Sequence, residues 1–141
     1  MKKILIINSN YYKDISKNLV LVAKKTLSKE KFKTSIINVP GIYEIPIAIR
    51  KHINKFDGFV ALGCVIKGET PHFDLISLAT FNSILNLSIN YNKPIGNGII
   101  TALNIKQAKL RSKKINSSKP NKGSEAAKAV IAIIKNGPKK T

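Results

Sequence analysis

The chain has 141 residues, 43% of them hydrophobic, and carries 25 Lys and Arg against 7 Asp and Glu, a formal net charge of +18. That length fits a single domain over residues 1–141 with a core of useful size, and no apolar run reaches the about 18 residues that would cross a membrane as a helix. The single cysteine, Cys64, has no partner within the chain; it reads as a small buried hydrophobe in a reducing, cytoplasmic compartment.

A charge this large suggests nucleic acid or anionic lipid. The kind of base argues otherwise. Only Arg50 and Arg111 are arginine, which leaves 23 lysines scattered along the chain rather than gathered on one helix with interleaved aromatics. Ile and Asn are abundant too, and all three residues have A/T-rich codons. Codon bias on a solvated surface therefore explains the charge, and nucleic acid is disfavoured as a partner. The lysines would still attract phosphorylated substrates in a salt-dependent way.

In chain order, M-K-K-I-L-I-I resembles a signal n-region, but its apolar part is short and lacks an A-x-A site. Ile4–Ile7 reads as a first strand. Asp14 or Ser16 can cap the helix that follows, with Leu19, Val20, Val22, Ala23 and Leu27 as its apolar face. Thr34–Val39 is a second strand, Pro40-Gly41 a turn, and Tyr43 to about Ile53 a helix with Pro46 tolerated in its first turn. Phe59–Ile66 is apolar except for Gly63 and reads as a buried central strand. A helix from Phe73 to about Tyr91 follows, then a strand over Pro94–Thr101, a helix capped by Asn104 and running to about Lys114, and a last helix over Lys122–Ile134.

This alternation predicts an α/β three-layer sandwich: a four-stranded parallel sheet with helices on both faces, joined by right-handed crossovers. Parallel strands place their carboxyl ends on one edge. That edge would collect Asn8–Lys13, Pro40–Glu44, Lys67–Asp74 and the end of the Gly96 strand into one site. The polar stretch Lys67-Gly68-Glu69-Thr70-Pro71-His72 at the end of the central strand is its centre. A glycine-containing turn into a helix suits an anion such as phosphate, and it carries one of only two histidines. The last helix, rich in Ala, Val and Ile, has almost no polar face, and the helix after Asp74 is similarly apolar. Both features predict burial between chains.

Five segments then name a family: V-P-G-I-Y-E-I-P (39–46), A-L-G-C-V-I-K-G-E-T-P-H-F-D (61–74), P-I-G-N-G-I-I-T (94–101), N-I-K-Q-A (104–108) and N-K-G-S-E-A-A (121–127). Together, in one order over nearly the whole chain, they resemble lumazine synthase. The resemblance implies the flavodoxin-like sandwich of that family and pentamers with active sites between neighbours. It implies condensation of 5-amino-6-(D-ribitylamino)uracil with 3,4-dihydroxy-2-butanone 4-phosphate, releasing phosphate and water. This is the penultimate step of riboflavin biosynthesis, with a functional link to riboflavin synthase. No metal or redox cofactor is implied.

The resemblance assigns residues one at a time. His72 matches the general acid/base; imidazole changes protonation near neutral pH. Taken alone, His72 reads equally well as a turn residue beside Pro71. Gly68, Glu69 and Thr70 match the phosphate loop. Arg111 matches an arginine that a neighbouring subunit supplies, its fork suited to phosphate. Glu44 matches the carboxylate on the ribityl hydroxyls, with Ile42 and Tyr43 beside it; a helix first-turn acid explains Glu44 equally well. Tyr11 falls where the family stacks an aromatic on the pyrimidine, and Tyr12 where a polar residue is usual, which leaves this loop open to a one-residue shift. Val65 and Ile66 lie beside the ring. Asn97, at a common Phe position, and Lys122 are implied contacts from the neighbour. Gly96 and Gly98 mark either a bulge or close packing. Lys67 replaces the usual arginine and loses its fork.

Two readings compete with the synthase. One is the archaeal-type riboflavin synthase, which His72 after G-E-T-P disfavours. The other is a non-catalytic binder of flavin or nucleic acid. On assembly, the connection Ser112–Pro120 has no glycine and carries Lys113, Lys114 and Lys119. Shell-forming relatives have a shorter, Gly-containing turn there, so like charges repelling between pentamers favour a free pentamer over a pair or a hollow shell.

Overall fold

In a computed structural model the described residues are 1–114 and 120–141. Strand β1 (Lys3–Ser9) leads into helix α1 (Lys13–Lys29), then strand β2 (Lys33–Val39), a 3-10 turn (Ile42–Glu44) and helix α2 (Ile45–Lys51). Strand β3 (Gly58–Ile66), helix α3 (His72–Tyr91), strand β4 (Ile95–Ala102) and helices α4 (Ile105–Arg111) and α5 (Lys122–Lys135) complete the order. All strands are parallel, in the order β2-β1-β3-β4.

The sheet divides two apolar layers, as period-two strands buried on both faces require. Ile4, Ile6, Val60 and Leu62 face α1 and α5. Leu5, Ile7, Phe59 and Ala61 face α2 and α3. The predicted three-layer parallel architecture is therefore the one observed. Because β2 lies on one side of β1 and β3 on the other, the chain changes direction between β1 and β3, and the carboxyl ends there open a crevice.

Local chemistry explains where the elements differ from expectation. Neither Asp14 nor Ser16 caps α1: its N-cap is Tyr12, without a side-chain hydrogen bond. The Ser16 hydroxyl instead donates to the Ser9 carbonyl at 2.6 Å and ties the helix start to the end of β1. The expected helix from Tyr43 splits into the 3-10 turn and a seven-residue α2, with Pro46 in the first α-turn, where its missing N–H has no role. Asn104 does cap α4, accepting from the Gln107 N–H at 2.9 Å, but α4 stops at Arg111. Asn121 caps α5 by accepting from the Gly123 and Ser124 N–H groups. Helix α3 ends at Asn92 in the left-handed conformation, a C-cap role that asparagine tolerates.

The two glycines of β4 serve close packing. A Cβ on Gly96 would stand 2.2 Å from the Ala126 carbonyl oxygen, and one on Gly98 would stand 2.5 Å from Leu62. Helix α5 therefore lies directly on the β4 backbone. Of the Ser112–Pro120 connection, Lys113 and Lys114 are exposed; Lys119 lies outside the described residues. Among the described residues no helix is long and apolar enough to cross a membrane.

Candidate active site

At the crevice between β1 and β3 lies a cavity of about 400 Å³. Three segments build it. From the end of β1 come Ser9, Tyr11 and Tyr12; from the turn after β2 come Gly41, Ile42, Tyr43 and Glu44; from β3 and α3 come Cys64, Val65, Ile66, His72 and Ile76. The fourth expected contributor, the end of the Gly96 strand, does not line it: β4 is an edge strand, one place removed from the crevice.

Each wall has a local cause. Ile42 is anchored in the α2/α3 layer at 3% exposure, which holds the 3-10 turn over the cavity while Tyr43 stands 68% exposed at the rim. Glu44 is half-buried and faces the same space. His72 is the first residue of α3, exposed at the mouth. Its backbone N–H lies 3.5 Å from the Thr70 hydroxyl, at the outer limit of a hydrogen bond.

Tyr11 and Tyr12 both reach the cavity, packed edge to face with ring centroids 5.0 Å apart. Tyr11 is 73% exposed, whereas Tyr12 packs against the α1/α5 layer. Burial, and then the neighbouring Cys64 and Tyr11, push the Tyr12 phenol up from its ordinary value. Burial also pushes the Cys64 thiol up to about 11. At neutral pH its thiolate is correspondingly scarce, so Cys64 is a wall of the cavity rather than a nucleophile.

The remaining sequence candidates stand apart. Gly68, Glu69 and Thr70 form an exposed loop ahead of α3 and do not line the cavity. Asn97 sits mid-strand opposite Ala61, where its side-chain oxygen accepts from the Ile99 N–H at 3.0 Å. Arg111 is half-buried at the end of α4. Lys122 opens α5, 3.6 Å from Glu125. Within one chain, then, His72, Glu44, Ile42, Tyr43, Tyr11, Val65 and Ile66 converge, and the other candidates do not. Sequence reasoning placed Ser9 and Gly41 in the loops at this edge without giving them a role, missed Ile76, and treated Cys64 only as core. Ser9 and Cys64 had a signal in their place at strand ends; Ile76 had one in standing a helical turn after His72.

A cavity at the switch point of an open parallel sheet, carrying an imidazole and a carboxylate, belongs to a small-molecule enzyme of the α/β class. The model of one family, 6,7-dimethyl-8-ribityllumazine synthase, matches residues 1–136. Proteins of that name from Bartonella bacilliformis and Bartonella henselae are 39% and 41% identical over 136 and 135 residues, covering 94% and 93% of this chain and 90% and 85% of their own. A third, from Erythrobacter litoralis, is 39% identical over 137 residues, 96% of this chain and 95% of its own. The chain belongs to the lumazine synthase family. It is a transferase of riboflavin biosynthesis, and the relatives favour this reading over a riboflavin synthase or a non-catalytic binder.

Proposed function

We propose that the cavity is the uracil and ribityl half of a condensing site completed by a neighbouring copy. The carrying observation is that His72 and Glu44, from separate segments, line one cavity, while Arg111, Asn97 and Lys122 of the same chain lie outside it. Tyr11 stacks on the pyrimidine ring, with Val65 and Ile66 at its edge. Glu44 accepts hydrogen bonds from ribityl hydroxyls, beside Ile42 and Tyr43. Gly68, Glu69 and Thr70, ahead of the α3 N-terminus, hold the phosphate of the second substrate. Arg111 of a neighbour adds a bidentate contact, and the neighbour's Asn97 and Lys122 reach the ring.

The primary amine of the uracil attacks the ketone carbonyl and a Schiff base forms with loss of water. Phosphate leaves, and the second nitrogen closes the ring with loss of a further water. His72 moves protons between amine, alcohol and enol during these steps, while the shared walls hold the partners in reacting geometry. The test is direct: the two substrates mixed with the protein should give lumazine absorbance well above the uncatalysed rate. No acceleration would overturn the reading.

Arg111→Ala should raise the KM of the phosphate substrate, by an amount equivalent to about 1.5–3 kcal/mol for a charged hydrogen bond, and leave the uracil KM nearly unchanged. An effect confined to the uracil substrate would reassign Arg111.

Burial supports assembly. Helix α3 buries only Thr80 and Ile84, and leaves Leu75, Leu78, Leu85 and Ile89 between 58% and 69% exposed. Such a stripe is costly in water unless another chain covers it. The proposed assembly is a free pentamer with five shared sites, in the cytoplasm, its product consumed by riboflavin synthase. Light scattering after size exclusion at moderate salt should give about five chain masses. A shell-sized species would overturn the argument from Lys113 and Lys114, and a stable active monomer would overturn the shared site.

A further inference from the structure

Four side-chain oxygens are buried without a hydrogen-bond partner among the described residues: those of Asn8, Ser9, Ser77 and Thr80. Ser9 is the one of these four that lines the active-site cavity. It is the last residue of β1 and only 1% exposed. Period-two alternation turns it to the same face as Leu5 and Ile7, the face covered by Ile42. Gly63 on the adjoining strand makes room for it: a Cβ there would stand 3.0 Å from both the Ser9 Cβ and the Ile42 Cγ2. The backbone carbonyl of Ser9 is occupied by the Ser16 hydroxyl, which fixes the residue while leaving its own hydroxyl free.

A buried hydroxyl without a partner destabilises a fold, so each instance calls for a reason. Here the residue that carries it lines the space where a polar ligand is to sit. We infer that the Ser9 hydroxyl is a binding residue for the ribitylaminouracil, hydrogen-bonding a ring amide or a ribityl hydroxyl at the floor of the cavity beside Ile42. The inference rests on the assignment of this cavity to that substrate. The phosphate loop, Gly68–Thr70, does not line the cavity and gains nothing from Ser9.

The two consequences of losing the hydroxyl have opposite signs. Without ligand, Ser9→Ala removes an unpaired buried group and keeps the Cβ packing, so the apparent Tm should rise by a few degrees. With substrate, the same change leaves a polar ligand atom unpaired. KM for the ribitylaminouracil should then rise roughly 3- to 10-fold, the size of one neutral hydrogen bond, with KM for the phosphate substrate and kcat within about twofold. Fluorescence titration with the lumazine product should show the same loss of affinity.

The test compares wild-type and Ser9→Ala full-length protein in these measurements. An unchanged uracil KM and product affinity in an otherwise active variant would overturn the proposal. A lowered Tm would overturn it too, by showing that the hydroxyl already serves the fold. If wild-type protein neither binds product nor turns over substrate, the assignment of the cavity itself fails, and the role of Ser9 with it.

Discussion

His72→Ala should lower kcat about 10²-fold, with KM for both substrates within about threefold of wild type. General acid/base groups contribute about 10²–10⁴-fold. The lower end is expected because an amine and a ketone condense unaided, and holding the two partners together supplies much of the remaining acceleration. Position supports the role. His72 opens α3 at the cavity mouth, exposed enough to exchange protons with solvent and lining the same space as Glu44. Truncation to Ala removes a group from an exposed helix start, so thermal stability should hardly change. Equal rates for variant and wild type across the whole pH range would remove His72 from the chemistry.

Gly96→Ala should destabilise the fold by about 3 kcal/mol or more, at the upper end of what overpacking costs. The added Cβ would meet the Ala126 carbonyl oxygen at 2.2 Å, the Ala126 carbonyl carbon at 2.8 Å and the Val130 Cγ2 at 3.0 Å. Two of those three atoms are backbone and cannot rotate away, so α5 must move off the sheet. The contact lies in the layer shared by Ile4, Val60, Ala126 and Val130, where close packing leaves no slack. Gly68→Ala is the control. A Cβ there meets nothing within 4 Å, and no glycine of the described residues has a positive φ, so stability should stay within about 0.5 kcal/mol of wild type. Urea unfolding of both variants measures the difference. A Gly96→Ala protein as stable as wild type would mean that α5 shifts freely on β4.

The apolar runs Ile4–Ile7 and Phe59–Cys64, interrupted only at Gly63, are buried strands covered by helices on both faces of the sheet, and that much is written in local hydrophobicity. The same local patterns delimit α3, α4 and α5 to within a few residues, because helix periods and the Asn104 cap act over one or two turns. The family motifs point to His72 and Glu44, and the cavity they line was foreseen from the rule that parallel strands share a carboxyl edge.

The sequence alone determined the order of elements and the parallel sheet, and it singled out the candidate site residues, since each is read from neighbours along the chain. Only the tertiary structure decided which of those residues meet. Strand order leaves the end of β4 out of the cavity. The start of the helix expected from Tyr43 is instead the 3-10 turn Ile42–Glu44, with α2 following it. Gly96 proves to be a contact with the Ala126 backbone rather than a bulge. Ser9, the last residue of β1 and unremarkable among the polar residues there, lines the cavity and is left buried with its hydroxyl unpaired. These outcomes depend on groups far apart in sequence arriving within a few ångströms of each other, a condition that no local pattern of residues encodes.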